Sequence, residues 1–181
     1  MPPCEPHPPT QGINMSFSQR VLAVALLAAA SGGTLPAAAV EVNQAAPEVR
    51  AIGTTGAASL AALKGKVVYL DFWASWCGPC RQSFPWMNEM QAKYGARGFQ
   101  VLAINVDANR GDADKFLAQT AAAFNVAFDA RGETPRTYGI KGMPSSVLIG
   151  ADGKILLMHA GFRDDERQNL EDQIAAALPK R

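Results

Sequence analysis

Two cysteines three residues apart, Cys77 and Cys80, are the residues best placed to do chemistry in this chain. Sulfurs that share a first helical turn can close to a disulfide and open to a dithiol, which is reversible two-electron chemistry. The run before them, Val67 to Trp73, is apolar, β-branched and aromatic, and it predicts a buried strand leading into a helix that opens at the cysteines. A helix N-terminus leaves backbone N–H groups unpaired and carries the positive end of the macrodipole. A sulfur held there is favoured as thiolate relative to a free thiol, which titrates at about 8.5. The competing use of such a pair is half a zinc site. No second Cys-x-x-Cys and no His pair exists to complete four ligands, so no metal is expected. Three cysteines are also too few for a disulfide scaffold, and Cys4 is the odd one out.

The elements that must position this pair follow from hydrophobic period and turn chemistry. Glu48 to Ile52 is expected as a short strand and Gly53 to Gly56 as a turn, after which Ser59 caps a single helical turn, Leu60 to Leu63. The central strand, Lys66 to Trp73, is apolar at nearly every position and should be covered on both faces. The helix after Cys77 should run to Tyr94, with Phe84, Met87, Met90 and Tyr94 as its inner face and a kink at Pro85. That spacing makes Met87 and Met90 core residues rather than copper ligands. Phe99 to Val106 is a second buried strand, parallel to the first because a helix connects them.

Gly111-Asp112 opens a helix with Phe116, Leu117 and Ala121 inward, and Val126 to Phe128 is a short strand. Thr134-Pro135 reads as an N-cap followed by proline at the first position of a short helix that stops at Gly139. After Gly142-Met143-Pro144 comes a strand, Ser146 to Ile149. A turn at Ala151 to Lys154 then returns the chain antiparallel through Ile155 to His159. Asp164-Asp165-Glu166 precedes a last helix with Leu170, Ile174 and Leu178 inward. His159 stands alone and is no site by itself. The element order implies one α/β domain of about 140 residues, with a mixed central sheet and helices on both faces.

The chain has 181 residues, 48% hydrophobic and 18% charged, with 17 Lys+Arg against 16 Asp+Glu and a net charge of +1. No basic run exceeds two residues, which argues against a nucleic-acid footprint or a polybasic membrane patch. Residues 1–14 are proline-rich and aperiodic, and they read as a non-native or disordered extension ahead of a start at Met15. Residues 15–39 have the three-part build of a secretory signal: a short polar stretch ending at Arg20, ten apolar residues from Val21 to Ala30, and a small-residue cleavage site at Ala37-Ala38-Ala39. An uncleaved anchor is the rival, but Ser31-Gly32-Gly33 and Pro36 break the run well short of the roughly 20 apolar residues a span needs. Residues 40–46 then read as a linker and 47–181 as the folded domain. The expected location is the periplasm, with membrane contact only through an uncleaved leader.

At Asp71-Phe72-Trp73-Ala74-Ser75-Trp76-Cys77-Gly78-Pro79-Cys80 the chain resembles the active-site segment of thioredoxins, and over residues 45–178 their secreted TlpA/ResA-like branch. The resemblance implies a thioredoxin fold with an N-terminal strand extension and an extra inserted helix, acting as a thiol–disulfide oxidoreductase. Cys77 is expected to attack and Cys80 to displace the product. Gly78-Pro79 between them accompanies reducing members of the family. Pro144 resembles the family's cis-proline beside the cysteines. In that state the Met143 backbone would turn toward the sulfurs and pair with an extended substrate segment; a plain turn proline is the alternative. Trp76 is expected to shield Cys77 and meet partners, with Trp73 in the core.

Asp71 interrupts a buried strand, so desolvation should raise its pKa and leave it able to take a proton from Cys80. The alternative is an aspartate turned to water at a strand end. Two departures from the family bear on it. Many relatives place a glutamate three residues after the second cysteine, where this chain has Ser83. The lysine that thioredoxins set on the next strand is replaced by Ala103. Asp71 is thus expected as the sole internal base. No cofactor beyond the Cys77–Cys80 couple is implied. The implied partners are disulfide-containing proteins and a membrane-embedded dithiol donor. Relatives in cytochrome c maturation carry Glu-Thr after the special proline, whereas this chain has Ser145-Ser146. The rival class is a copper-handling protein that binds Cu(I) through the thiols or reduces a copper chaperone. A peroxidase is disfavoured because the cysteines are paired.

Overall fold

A computed structural model describes residues 40–51 and 59–180. The expected leader and the turn at Gly53 to Gly56 lie outside the described residues. The apolar run Val67–Trp73 forms the central strand β1, buried at all seven positions. It is followed by helix α1, Gly78–Tyr94, strand β2, Phe99–Asn105, and helix α2, Arg110–Gln119. Next come β3, Asn125–Phe128, the short helix α3, Glu133–Thr137, the hairpin β4, Ser145–Ile149, with β5, Ile155–Ala160, and helix α4, Arg167–Ala177.

The five strands lie in the order β3-β2-β1-β4-β5. β1 runs parallel to β2 and β2 to β3, while β4 is antiparallel to both β1 and β5, which is the expected mixed sheet. Alternation along β1 divides the core. Val67, Tyr69 and Trp73 face a layer built from Phe84, Trp86, Met87, Met90 and Tyr94 of α1, Phe116 of α2, and Leu170 and Ile174 of α4. Val68, Leu70 and Phe72 face the other way, against Leu63, Tyr138 and Val147. Met87 and Met90 are buried core, as their spacing implied. Under the end of β1, Trp73 and Phe84 pack edge to face at 5.0 Å, and Phe116 completes a triangle at 4.7 and 5.0 Å. Each such aromatic pair contributes roughly 0.5–1.5 kcal/mol beyond its area.

Five expectations are corrected. Residues 48–51 form no strand. The Glu48 carboxylate accepts the N–H groups of Val49, Leu60 and Ala61, so it caps the 3-10 turn Ala61–Leu63 that Ser59 also caps. Lead-in pairing comes earlier, in the segment expected as linker. Asn43 donates to the Ile155 carbonyl, Ala45 bridges Lys154, and Ala46 donates to Gly153, so the strand extension is reduced to one bridge against the start of β5. Thr134 is not an N-cap: Gly132 holds that place at φ 64°, a left-handed backbone that glycine adopts freely. The Thr134 N–H is instead bonded to the Asp129 carboxylate, and its hydroxyl accepts from Arg50 N–H. Ala121 lies beyond α2 and is exposed, and Ala113 shares the inner stripe with Phe116. Acidic residues 164–166 form a 3-10 turn ahead of α4 rather than its first turn.

Candidate active site

Cys77 is the N-cap of α1, with an extended backbone (φ −82°, ψ 105°), and its Sγ accepts the Cys80 N–H at 3.2 Å. A sulfur in the place of a capping oxygen takes up one of the orphan N–H groups of the first turn, the interaction that also favours a thiolate there. Pro79 falls in that first turn, where a missing N–H breaks no helical bond. Cys77 and Cys80 are joined as a disulfide, so this is the oxidised form. Cys80 is fully buried. Cys77, the expected attacking sulfur, is only 3% accessible, because in the closed form it turns onto the helix end and packs with the core. What is presented to solvent is the rim: Trp76 is 71% exposed, and Gly78 and Pro79 are exposed beside it. Trp73 is wholly buried, as expected.

The Met143–Pro144 bond is cis. Phe72 pairs with Ser145, so Pro144 immediately precedes the point where β4 meets the end of β1 and the chain leaves for the cysteines. Met143 packs against the cluster that contains both cysteines, and among the described residues its backbone N–H and C=O have no backbone partner. Pro144 is buried and its carbonyl accepts from Gly161 N–H at 2.8 Å.

Asp71 is in the body of β1 and is fully enclosed, which rules out a carboxylate turned to water at a strand end. It shares a face with Tyr69 and Trp73, the face toward α1 and Cys80. Burial holds its carboxyl well above the usual aspartate range, and its Oδ2 has no hydrogen-bond partner. Opposite it on β2 stands Ala103, so the strand pairing confirms that no lysine faces it from there. Ser83 is buried on α1 and donates its hydroxyl to the Cys80 carbonyl at 3.1 Å, a helix-internal bond and no acid–base group.

Two contributors were not foreseen. Asp107 accepts the Ser75 N–H at 2.9 Å, the Ser75 hydroxyl at 3.1 Å and the Asn105 amide at 2.8 Å. It ties the active-site loop to the end of β2. The signal was an Asn-x-Asp directly after a strand that must lie beside β1. His159 is not alone either: its Nε2 is 3.3 Å from Glu166 Oε2. Counting back through the hairpin turn would have placed it opposite Ser146. Among the described residues no cluster of three or more His, Cys, Asp or Glu could hold a metal, and no helix is long and apolar enough to cross a membrane.

Comparison with known proteins agrees with this geometry. The Redoxin family model matches residues 41–174. The thiol–disulfide oxidoreductase ResA of Bacillus cereus is 32% identical over 167 residues, covering 88% of this chain and 95% of that protein. ResA of Geobacillus thermodenitrificans is 32% identical over 161 residues, covering 84% and 92%. A Chlorobium tepidum crystal structure, provisionally described as the thiol:disulfide interchange protein DsbE, is 60% identical and superposes with a TM-score of 0.75 over 77% of this chain and 99% of that one. The chain therefore belongs to the Redoxin family, as a ResA- and TlpA-like thiol–disulfide oxidoreductase of the thioredoxin superfamily.

Proposed function

We propose that the protein is an exported reductase of protein disulfides, working in the periplasm. The observation that carries this reading is the Cys77–Cys80 couple at the start of α1, with Cys80 buried on the side of the sheet where Asp71 lies. In the reduced form the Cys77 thiolate attacks one sulfur of a substrate disulfide. A Cys77–substrate bond forms and the other substrate sulfur leaves as a thiol after taking up a proton. Cys80 then gives its proton to the Asp71 carboxylate, attacks Cys77 Sγ, and expels the second substrate sulfur as a thiolate, which takes its proton from solvent. Two electrons have passed to the substrate, and the couple is left as the disulfide found in the structure. Burial raises the Asp71 pKa above the usual carboxylate range, which makes it a stronger proton acceptor than an exposed aspartate.

Trp76, Gly78 and Pro79 would form the rim that meets the substrate, and the unpaired Met143 backbone ahead of Pro144 would align an extended segment of it. No cofactor is required beyond the couple. Electrons would come from a membrane dithiol donor, and Cys-x-x-Cys haem-attachment segments of cytochromes c are the client class that the ResA and DsbE relatives suggest. The test is a Cys80→Ser variant expressed with its natural leader in a periplasm-forming host. Proteins held in disulfide linkage to Cys77 should include apocytochromes c, and the mature chain should begin near Val40. Recovery of no mixed disulfides, or stoichiometric Cu(I) binding by the reduced wild type without disulfide reductase activity, overturns the reading.

A further inference from the structure

The pairing register sets three polar residues in one line across the sheet. Asp71 of β1 stands opposite Ser146 of β4, and Ser146 opposite His159 of β5. Directly opposed residues point to the same face, so all three lie on the side that carries the cysteines. Their row neighbours agree: Tyr69, Leu148 and Leu157, two residues along each strand, belong to or pack against that same core cluster. At the outer end the line meets Glu166, whose Oε2 is 3.3 Å from His159 Nε2. Asp71 Oδ2, at the inner end of this line, is buried without a hydrogen-bond partner. Orphaned polar atoms are uncommon in a packed interior, and each asks for an explanation. This one begins a path that runs from the most deeply buried carboxyl among the described residues to side chains 20% and 28% exposed.

We propose that the line Asp71–Ser146–His159–Glu166 is the route by which the proton taken from Cys80 leaves the core, with Ser146 and His159 as its positioning residues. It rests on the reading of Asp71 as the internal base. A buried carboxyl that has taken a proton must give it up before it can take another, either back to Cys80 when the couple is re-reduced or outward, and Asp71, only 2% exposed, has almost no surface of its own from which to release it. Neighbours in the line stand one strand spacing apart, roughly 4.5–5.5 Å between Cα atoms, a gap that a hydroxyl or a single water closes. The Ser146 hydroxyl accepts from the Asp71 carboxyl while passing its own proton outward to the imidazole. Imidazolium is then held by the Glu166 carboxylate until it releases the proton to solvent. One proton enters and one leaves, and no bond other than O–H and N–H changes.

The charged and titratable groups facing this end of the route are few. The Tyr69 phenol of β1 is hydrogen-bonded to the Ser146 side chain; burial first, and then the charges of Asp71 and Glu166, keep it protonated. Arg163 stands 3.8 Å from Glu166 Oε1, and its guanidinium is also engaged by Asp165. Arg167 of α4 lies over the Phe162 ring and pairs with Asp164.

The experiment follows steady-state reduction of a disulfide peptide by the full-length protein with excess dithiol reductant, and beside it the first disulfide closure by stopped-flow fluorescence, from pH 6 to 9, in water and in heavy water. Ser146→Ala and His159→Ala should each slow steady-state turnover by about 10-fold, one decade short of the lower bound for a full general-base contribution, and leave the first closure, in which Asp71 only takes up the proton, at the wild-type rate. Ser146→Thr, which keeps the hydroxyl, should retain the rate, and added imidazole should restore His159→Ala. Wild-type turnover rates and isotope effects in both alanine variants, with Asp71→Asn still slow, overturn the route and leave Asp71 as base. Equal slowing by Ser146→Ala and Ser146→Thr also overturns it, because the hydroxyl would not be the cause. A wild-type rate in Asp71→Asn overturns the base itself.

Discussion

Asp71 and Asp107 are both buried aspartates near the same active-site loop, yet they are built in opposite ways. Asp107, beyond the end of β2, sits among donors: two from Ser75 and one from Asn105 lie within 3.1 Å of its carboxylate. Asp71, in the middle of β1, has an oxygen with no partner, and burial pushes its pKa up. The difference is one of address. A strand end leaves loop N–H groups free to converge on a carboxylate, whereas the middle of a sheet offers only side chains from adjacent strands, here Ala103 and Ser146. A satisfied buried charge holds structure in place. An unsatisfied one costs stability and keeps its proton affinity available for chemistry.

The largest expected effect separates the two on rate. Asp71→Asn should slow reduction of a disulfide substrate about 100-fold at pH 7, at the lower end of general-base contributions, with a flattened pH profile. Steady-state insulin reduction measures it. A rate within twofold of wild type from pH 6 to 9 would erase the distinction. The next effect reverses the order of the pair. Asp107→Ala removes the acceptor for three donors and leaves the Ser75 N–H and Asn105 amide unpaired beside the loop, so urea unfolding of the oxidised protein should show a loss of about 3 kcal/mol. Asp107→Asn keeps one accepting oxygen and should lose less. If Asp107→Ala unfolds with the wild-type midpoint, the network is not what fixes the loop.

Much of this contrast could be read in the chain beforehand. Val67 to Trp73 is too continuously apolar to be anything but a buried strand, which made Asp71 conspicuous. The Phe84, Met87, Met90 and Tyr94 period set the helix face that carries Cys80. Parallel pairing of β1 with β2 followed from the crossover, and with it the placement of Ala103 against Asp71. What the pattern could not give was local polar capture. Glu48 folds back onto Leu60 and Ala61 instead of extending a strand, and Asp129 rather than Thr134 caps the turn into α3. Asp107 reaches Ser75 across 32 residues. Such contacts depend on where loops meet in space, and hydrophobic period carries no record of that. The neighbours of His159 are hidden from the pattern for a related reason: they come from the hairpin register and from the turn before α4, and neither is its sequence neighbour.

A smaller effect tests the energetic half of the comparison. For a carboxyl whose folded pKa lies above its unfolded value, the folded state holds the proton more tightly. Its contribution is fully present below the unfolded value, about 3.9, and is lost as pH rises toward the folded one. Wild type should therefore weaken relative to Asp71→Asn as pH is raised from about 3 to 8. Each unit over which the folded carboxyl stays protonated costs about 1.4 kcal/mol. The readout is the slope of the stability difference against pH, so the burial cost of the new amide, which does not vary with pH, drops out. A flat difference would mean that Asp71 finds a partner in solution.

The smallest effect concerns Ser83, at the position where many relatives carry a glutamate. Its hydroxyl donates to the Cys80 carbonyl one turn back, an oxygen already placed in the helical ladder of α1. Removing a second donor from a carbonyl that keeps its first leaves no buried acceptor empty, so Ser83→Ala should cost about 0.5 kcal/mol in urea unfolding. It should leave the rate and pH profile of disulfide reduction within about twofold of wild type, far below the general-base scale. A pH profile displaced in Ser83→Ala as in Asp71→Asn would put the proton-handling group on the helix rather than the strand. An undisturbed profile leaves Asp71, the carboxyl without a full set of partners, as the group that sets it.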